Sequence, residues 1–249
     1  MVRTITGQIS SVDILAIGVH PDDVEIGCIG TLLKHRKKGY SFGIVDLTEG
    51  ELGTRGNAPL RLEESKKSAE FTGALFRVNF GWPDGFFEHS NENIIELVKI
   101  IRLTKPSYIL CNAPNDRHPD HGRASKIVHD ASFYSGLIKI KTVFEDNELP
   151  AHRPKAVLSY IQDYYMHPDL VIDISDCIDE KMQAIQCFAS QFYNPHKPSD
   201  EPETPISSPD FLEMIKARAR QYGRPAGYSF AEGFVIPRYF GIKSLFDLD

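Results

Sequence analysis

"VDILAIGVHPDDVEIGCIGTLLKHRKKG", residues 12–39, carries the first decision about the fold. Residues 12–19 form an almost unbroken apolar run, the signature of a short strand buried on both faces. Beyond it the apolar residues Ile26, Ile29, Leu32 and Leu33 recur at helical spacing, and the segment closes on a basic turn and Gly39. A strand that feeds directly into a helix begins a β-α unit. The turn between them is unusual. A dinucleotide site would place G-x-G-x-x-G here, so that backbone N–H groups could cradle a pyrophosphate. This chain places His20, Pro21, Asp22 and Asp23 instead.

Working outward, the alternation continues. "SFGIVDLT" (41–48), "RVNFGW" (77–82), "PSYILCNA" (106–113), "KAVLSYI" (155–161) and "DLVIDIS" (169–175) read as strands. "RLEESKKSAEFTG" (61–73), "ENIIELVKIIRLTK" (92–105), the stretch after "HPDHG" (118–122) and "DCIDEKMQAIQCFASQF" (176–192) read as helices. The expectation is an α/β protein: a Rossmann-like doubly wound, mainly parallel sheet with helices on both faces. Residues 1–249 are expected to form one domain with a C-terminal elaboration, since no internal repeat or linker interrupts them. Residues 194–209, rich in Pro, Ser and acidic groups, are expected to be a surface loop, and the apolar tail after them to pack back on the domain.

Composition narrows the partners. A net charge of −6 argues against nucleic acid as the main ligand. No stretch approaches the roughly 20 apolar residues of a membrane span, and no secretory leader is evident. Cys28, Cys111, Cys177 and Cys187 lie far apart with no C-x-x-C pair, as expected of reduced thiols in a cytoplasmic protein.

In an open α/β sheet ligands bind outside the carboxyl ends of the strands. Three loops would open there: "HPDD" (20–23), "TEGELGTRG" (48–56) and "NAPNDRHPDHG" (112–122). Asp22 or Asp23 could simply cap the following helix. Two carboxylates and an imidazole within four residues exceed what a cap needs. The third loop repeats the pattern, with His118 and His121 flanking Asp120. Facing across a cleft, two such turns could supply the His, carboxylate and His of a catalytic zinc site. The same donors would take Fe²⁺, Co²⁺ or Mn²⁺. Arg55, between the glycines of "GTRG" (53–56), is a candidate for gripping a substrate carboxylate.

"HPDD" after the first strand, followed later by "HPDH" (118–121), resembles the LmbE/PIG-L-like zinc-dependent N-acetylglucosaminyl deacetylases. "GELGTRG" (50–56) and "SQF" (190–192) are similar to the bacillithiol-biosynthesis branch, which acts on N-acetylglucosaminyl malate. The resemblance implies a metal held by His20, Asp23 and His121. It further implies Asp22 as general base, His118 as acid and oxyanion partner, and Asp120 as the group setting the orientation and charge of His118. Arg55 would then meet the malate carboxylates. Another small N-acetylated glycoside, an antibiotic precursor or chitobiose, is the alternative substrate, and a catalytically silent metal- or sugar-binding module the alternative class. The leaving amine could take its proton from Asp22 or from His118. The resemblance also suggests a homo-oligomer.

Overall fold

The structure, a computed structural model, describes residues 3–194, 200–244 and 246. The first half contains β1 (Arg3–Gly7), β2 (Ile14–Gly18), α1 (Asp23–Gly27), α2 (Ile29–Lys37), β3 (Phe42–Thr48), α3 (Ala58–Thr72) and β4 (Phe76–Trp82). Then come α4 (Asn91–Thr104), β5 (Tyr108–Asn112), α5 (Pro119–Ser135) and a small hairpin of β6 (Val143–Phe144) and β7 (Asn147–Glu148). The last part holds β8 (Ala156–Tyr160), β9 (Leu170–Asp173), α6 (Ile178–Gln186), α7 (Pro209–Gly223) and β10 (Ala231–Val235).

The main sheet has the order β1-β4-β3-β2-β5-β8-β10-β9. Its five inner strands, β4 to β8, run parallel. β1 is antiparallel to β4, and β10 is antiparallel to both β8 and β9. Along β2 the side chains alternate. Leu15 and Ile17 join the core packed by α4 and α5, while Ile14 and Ala16 join the core packed by α2 and α6. Both faces are covered, which is why the strand reads as a continuous apolar run. The chain steps from β2 out to β3 and β4, then returns to the other side of β2 as β5. That reversal opens a crevice between the carboxyl ends of β2 and β5.

The structure departs from the sequence expectation in several places, α6 among them, which ends at Gln186 where the helix was expected to run to residue 192. The helix expected over 25–39 is broken at Cys28, whose φ of −147° ends α1 before α2 begins. Gly27 lies so close to Tyr160 that a Cβ there would meet the ring at 2.2 Å. The loose backbone groups of the break are satisfied from far along the chain. Glu232 accepts the N–H groups of Gly30 (3.0 Å) and Thr31 (2.7 Å), and Lys181 donates to the Ile26 carbonyl (2.7 Å). β1 and β10 add antiparallel strands; the short β10, with Glu232 and Gly233 inside it, lacks a strand's usual alternation. Pro209 opens the helix α7, unmarked in the sequence reading. Of the expected loop 194–209, residues 195–199 lie outside the described residues, and residues 200–208 carry neither helix nor strand.

Candidate active site

The first H-P-D turn leaves β2 under strain. Asp22 has φ 125° and ψ −22°, a conformation rare outside glycine. It turns two neighbouring carboxylates in different directions. The Asp23 carboxylate folds back over the turn, its Oδ2 accepting the N–H groups of Val19 (3.0 Å) and His20 (2.9 Å). The Asp22 carboxylate meets Arg61, whose Nη2 donates to Oδ2 at 3.0 Å and to the Pro21 carbonyl at 2.7 Å. Gly50 leaves room for that arginine: with φ +67°, a Cβ there would lie 2.0 Å from Arg61 Nη1.

The second turn is ordinary by comparison. His118 is the N-cap of α5, its Nδ1 accepting the Asp120 N–H at 3.3 Å, and Pro119 fills the first helical position. Within the first turn of α5, His121 points back across the crevice. Its Nε2 is 3.3 Å from Asp23 Oδ1, and its Nδ1 is 2.7 Å from Asp116 Oδ2. His20 Nδ1 is 3.6 Å from Asp23 Oδ2, while its Nε2 is 3.0 Å from Asp84 Oδ1. One ring nitrogen each of His20, His118 and His121 lie within 4.8 Å of one another.

The two turns therefore converge, and with them His20, Asp22, Asp23, His118 and His121. They line a cavity of about 290 Å³. Ile26, Ile206 and Phe211 form its apolar side; Arg61, Asp84 and Gln162 add polar groups.

Two expected site residues make contacts other than those expected. Arg55 is absent from the cavity wall, which Leu52, Gly53 and Thr54 build on that side. Its Nε donates to the Ser190 carbonyl (3.1 Å) and lies 3.8 Å from Glu201 Oε2, because the loop turns the guanidinium toward the 190–201 segment. The Asp120 carboxylate does not hold the His118 ring. It accepts the Gly85 N–H (2.8 Å) and an Arg123 N–H (2.6 Å), and one of its oxygens lies within 4.8 Å of a His20 ring nitrogen and an Asp84 oxygen, beside the cluster.

Arg61, Asp84, Asp116, Asn112 and Gln162 all touch the cluster and were not singled out in the sequence. Position offers a signal for some of them. Asn112 ends β5, and Asp84 and Gln162 lie two residues beyond the ends of β4 and β8. They stand on the sheet edge where ligands bind.

The electrostatics suit a cation. Burial pushes the Asp23 carboxyl up, but His121 and His20 outweigh it and hold the group well below the usual range. Burial depresses His20 and His121, yet neighbouring carboxylates raise them to about 9 and about 10. Each imidazole thus sits where positive charge is favoured, and a metal ion bound there would take the proton's place. The spacing also fits. Tetrahedral ligands bound at about 2.0–2.1 Å stand about 3.3–3.4 Å apart, and Asp23 Oδ1 and His121 Nε2 are 3.3 Å apart. The cluster is capable of coordinating a divalent metal. Burial, only partly offset by Arg61, raises Asp22 to about 7. His118 is lowered by burial and by the two neighbouring histidines, more than Asp120 raises it.

A family model described as PIG-L, GlcNAc-PI de-N-acetylase, matches residues 15–132, which span both turns. A diacetylchitobiose deacetylase of Thermococcus kodakarensis is 31% identical over 241 residues, covering 91% of this chain and 84% of its own. The chain belongs to the PIG-L family of deacetylases. A conserved protein of Thermus thermophilus shares the fold with a TM-score of 0.81 at 31% identity, over 93% of this chain and 98% of that one. A probable N-acetyl-α-D-glucosaminyl L-malate deacetylase of Bacillus anthracis is 25% identical over 192 residues, 72% of this chain and 81% of its own. As a PIG-L member with a His/Asp cluster capable of holding a divalent metal at its sheet switch point, the protein is an enzyme of the hydrolase class.

Proposed function

We propose that this PIG-L enzyme removes the N-acetyl group from the glucosaminyl unit of a small conjugate, with Zn²⁺ held by His20, Asp23 and His121. One observation carries the reading. Two adjacent aspartates diverge at a strained turn, one into the histidine cluster and one into the cavity beside it. When bound, the ion supplies Lewis acidity, bringing the pKa of water toward about 7 and polarising the amide carbonyl.

The remaining work falls to side chains. Asp22 is placed to take the proton of the attacking water, and Arg61 holds its carboxylate in that orientation. Because His118 Nδ1 accepts an N–H, the proton of its neutral ring sits on Nε2. That N–H can donate to the carbonyl oxygen as negative charge builds, so His118 acts as a neutral donor rather than as an imidazolium. Asp22 then returns its proton to the departing amine.

For the substrate, we place N,N'-diacetylchitobiose ahead of the malate conjugate. The similarity to the diacetylchitobiose deacetylase is higher and covers more of the chain, and Arg55, which favoured malate, is turned away from the cavity. We also infer a cytoplasmic homo-oligomer. Four free cysteines and the exposed apolar side chains Phe133, Ile138 and Val143 support this, and a monomer by sedimentation would overturn it. Among the described residues no helix is long and apolar enough to cross a membrane.

The deciding experiment measures acetate released from diacetylchitobiose, the glucosaminyl malate conjugate and free N-acetylglucosamine, with and without chelator. Release from a conjugate that chelation stops and Zn²⁺ restores is expected. Release indifferent to chelation, or no release from any of the three, overturns the proposal.

A further inference from the structure

Side-chain amides join the carboxyl ends of three adjacent strands. Asn112, the last residue of β5, accepts the Val19 N–H on Oδ1 at 3.2 Å. Its Nδ2 donates to Asp23 Oδ2 at 3.0 Å and to Gln162 Oε1 at 3.2 Å. Gln162, just beyond β8, donates its own Nε2 to Asp23 Oδ1 at 2.6 Å. Only one orientation of each amide works. Reversing either would set a carbonyl oxygen against a carboxylate.

The consequence is an unequal carboxylate. Asp23 Oδ2 receives three N–H donors, from Val19, His20 and Asn112, which fill its two lone-pair directions. Oδ1 receives one amide donor, that of Gln162, and turns its remaining lone pair toward His121 Nε2. The loop carrying Gln162 also steadies the opposite ligand. The N–H groups of Asp163 (3.2 Å) and Tyr164 (2.8 Å) hold Asp116 Oδ1, and Asp116 Oδ2 holds His121.

We propose that Gln162 is a positioning residue for the metal centre: its amide presents Asp23 to the ion through Oδ1 alone, and the loop after β8 aligns Asp23 and His121 together. This rests on the proposed metal site, and the test separates the two. Zn²⁺ affinity of the whole protein is measured by competition with a chromophoric chelator, and the Co²⁺-substituted protein is examined by its visible absorption. Gln162→Met keeps the length of the side chain and removes the donor. It is expected to weaken Zn²⁺ binding by about 10–100-fold, as loss of an outer partner of a ligand does, and to shift the Co²⁺ band. Gln162→Asn keeps the amide but withdraws it by one methylene, and carries the same expected loss should the methionine variant fail to fold. Zn²⁺ binding within about threefold of wild type in a folded variant, with an unchanged Co²⁺ spectrum, overturns the positioning role. Wild-type protein that binds no Zn²⁺ overturns the metal site itself, and the role of Gln162 with it.

Discussion

The two H-P-D turns share three letters and almost nothing else. The second is a favourable helix entry, with an N-cap, a proline at the first helical position and a long α5 behind them. The first holds Asp22 at φ 125°, costs about 1–3 kcal/mol in backbone strain, and leads into a helix of only five residues. In the proposed mechanism the difference separates support from chemistry. α5 is a rigid arm that delivers His121, whereas the strained turn divides two carboxylates between two tasks. Long-range contacts hold it: Arg61 from α3, and the Lys181–Glu232 pair at the break behind it.

The largest effect should come from breaking what the turns share. Chelation, or His121→Ala, is expected to reduce acetate release to background, with bound zinc by elemental analysis falling in parallel. An active His121→Ala variant with no zinc would detach the second turn from the metal.

Next is the strained turn alone. Asp22→Asn should retain zinc and fold while turnover drops about 10²–10⁴-fold, the range for loss of a general base. Asp22→Ala should lose the same activity and a further ~1 kcal/mol of stability, because alanine tolerates positive φ less well than asparagine. Equal melting temperatures for the two variants would mean that the strain is not felt. At the second turn His118→Asn preserves an N-cap and removes the imidazole. Stability should stay within about 0.5 kcal/mol while kcat falls about 10²–10³-fold, the range for one oxyanion donor. A large drop in melting temperature would make His118 a structural cap first.

These contrasts also mark what the sequence could say. Both turns were legible because their residues are contiguous and follow apolar strands, and the β-α alternation gave the parallel core. Arg61 was not legible, since it reaches Asp22 from α3 across 39 residues; Asp84 and Gln162 carried only the signal of their place just beyond strand ends, and Gln162 meets Asp23 across 139 residues. The break at Cys28 depends on Tyr160 and Glu232, which no local periodicity contains. The contacts of Asp120 and Arg55 were not legible for a related reason. Adjacency to a histidine or a glycine fixes where a side chain starts, and the partners that capture it (Gly85 and Arg123 for one, Ser190 for the other) lie elsewhere in the chain.

The smallest expected effect concerns Arg55, and it tests whether the loop between β3 and α3 acts on substrate or on structure. Arg55 Nε donates to the Ser190 carbonyl, and its own carbonyl accepts from Gln191 Nε2 at 2.8 Å. That contact joins two parts of the cavity rim, since Thr54 and Gln191 both line it. Arg55→Ala should therefore raise KM modestly, and by the same factor for diacetylchitobiose and for the malate conjugate, with kcat nearly unchanged. A rise confined to the malate conjugate would instead require the guanidinium to leave Ser190 and enter the cavity when an anionic aglycone arrives. The preference for diacetylchitobiose would then reverse, because a carboxylate-specific contact can outweigh similarity spread over the rest of the chain.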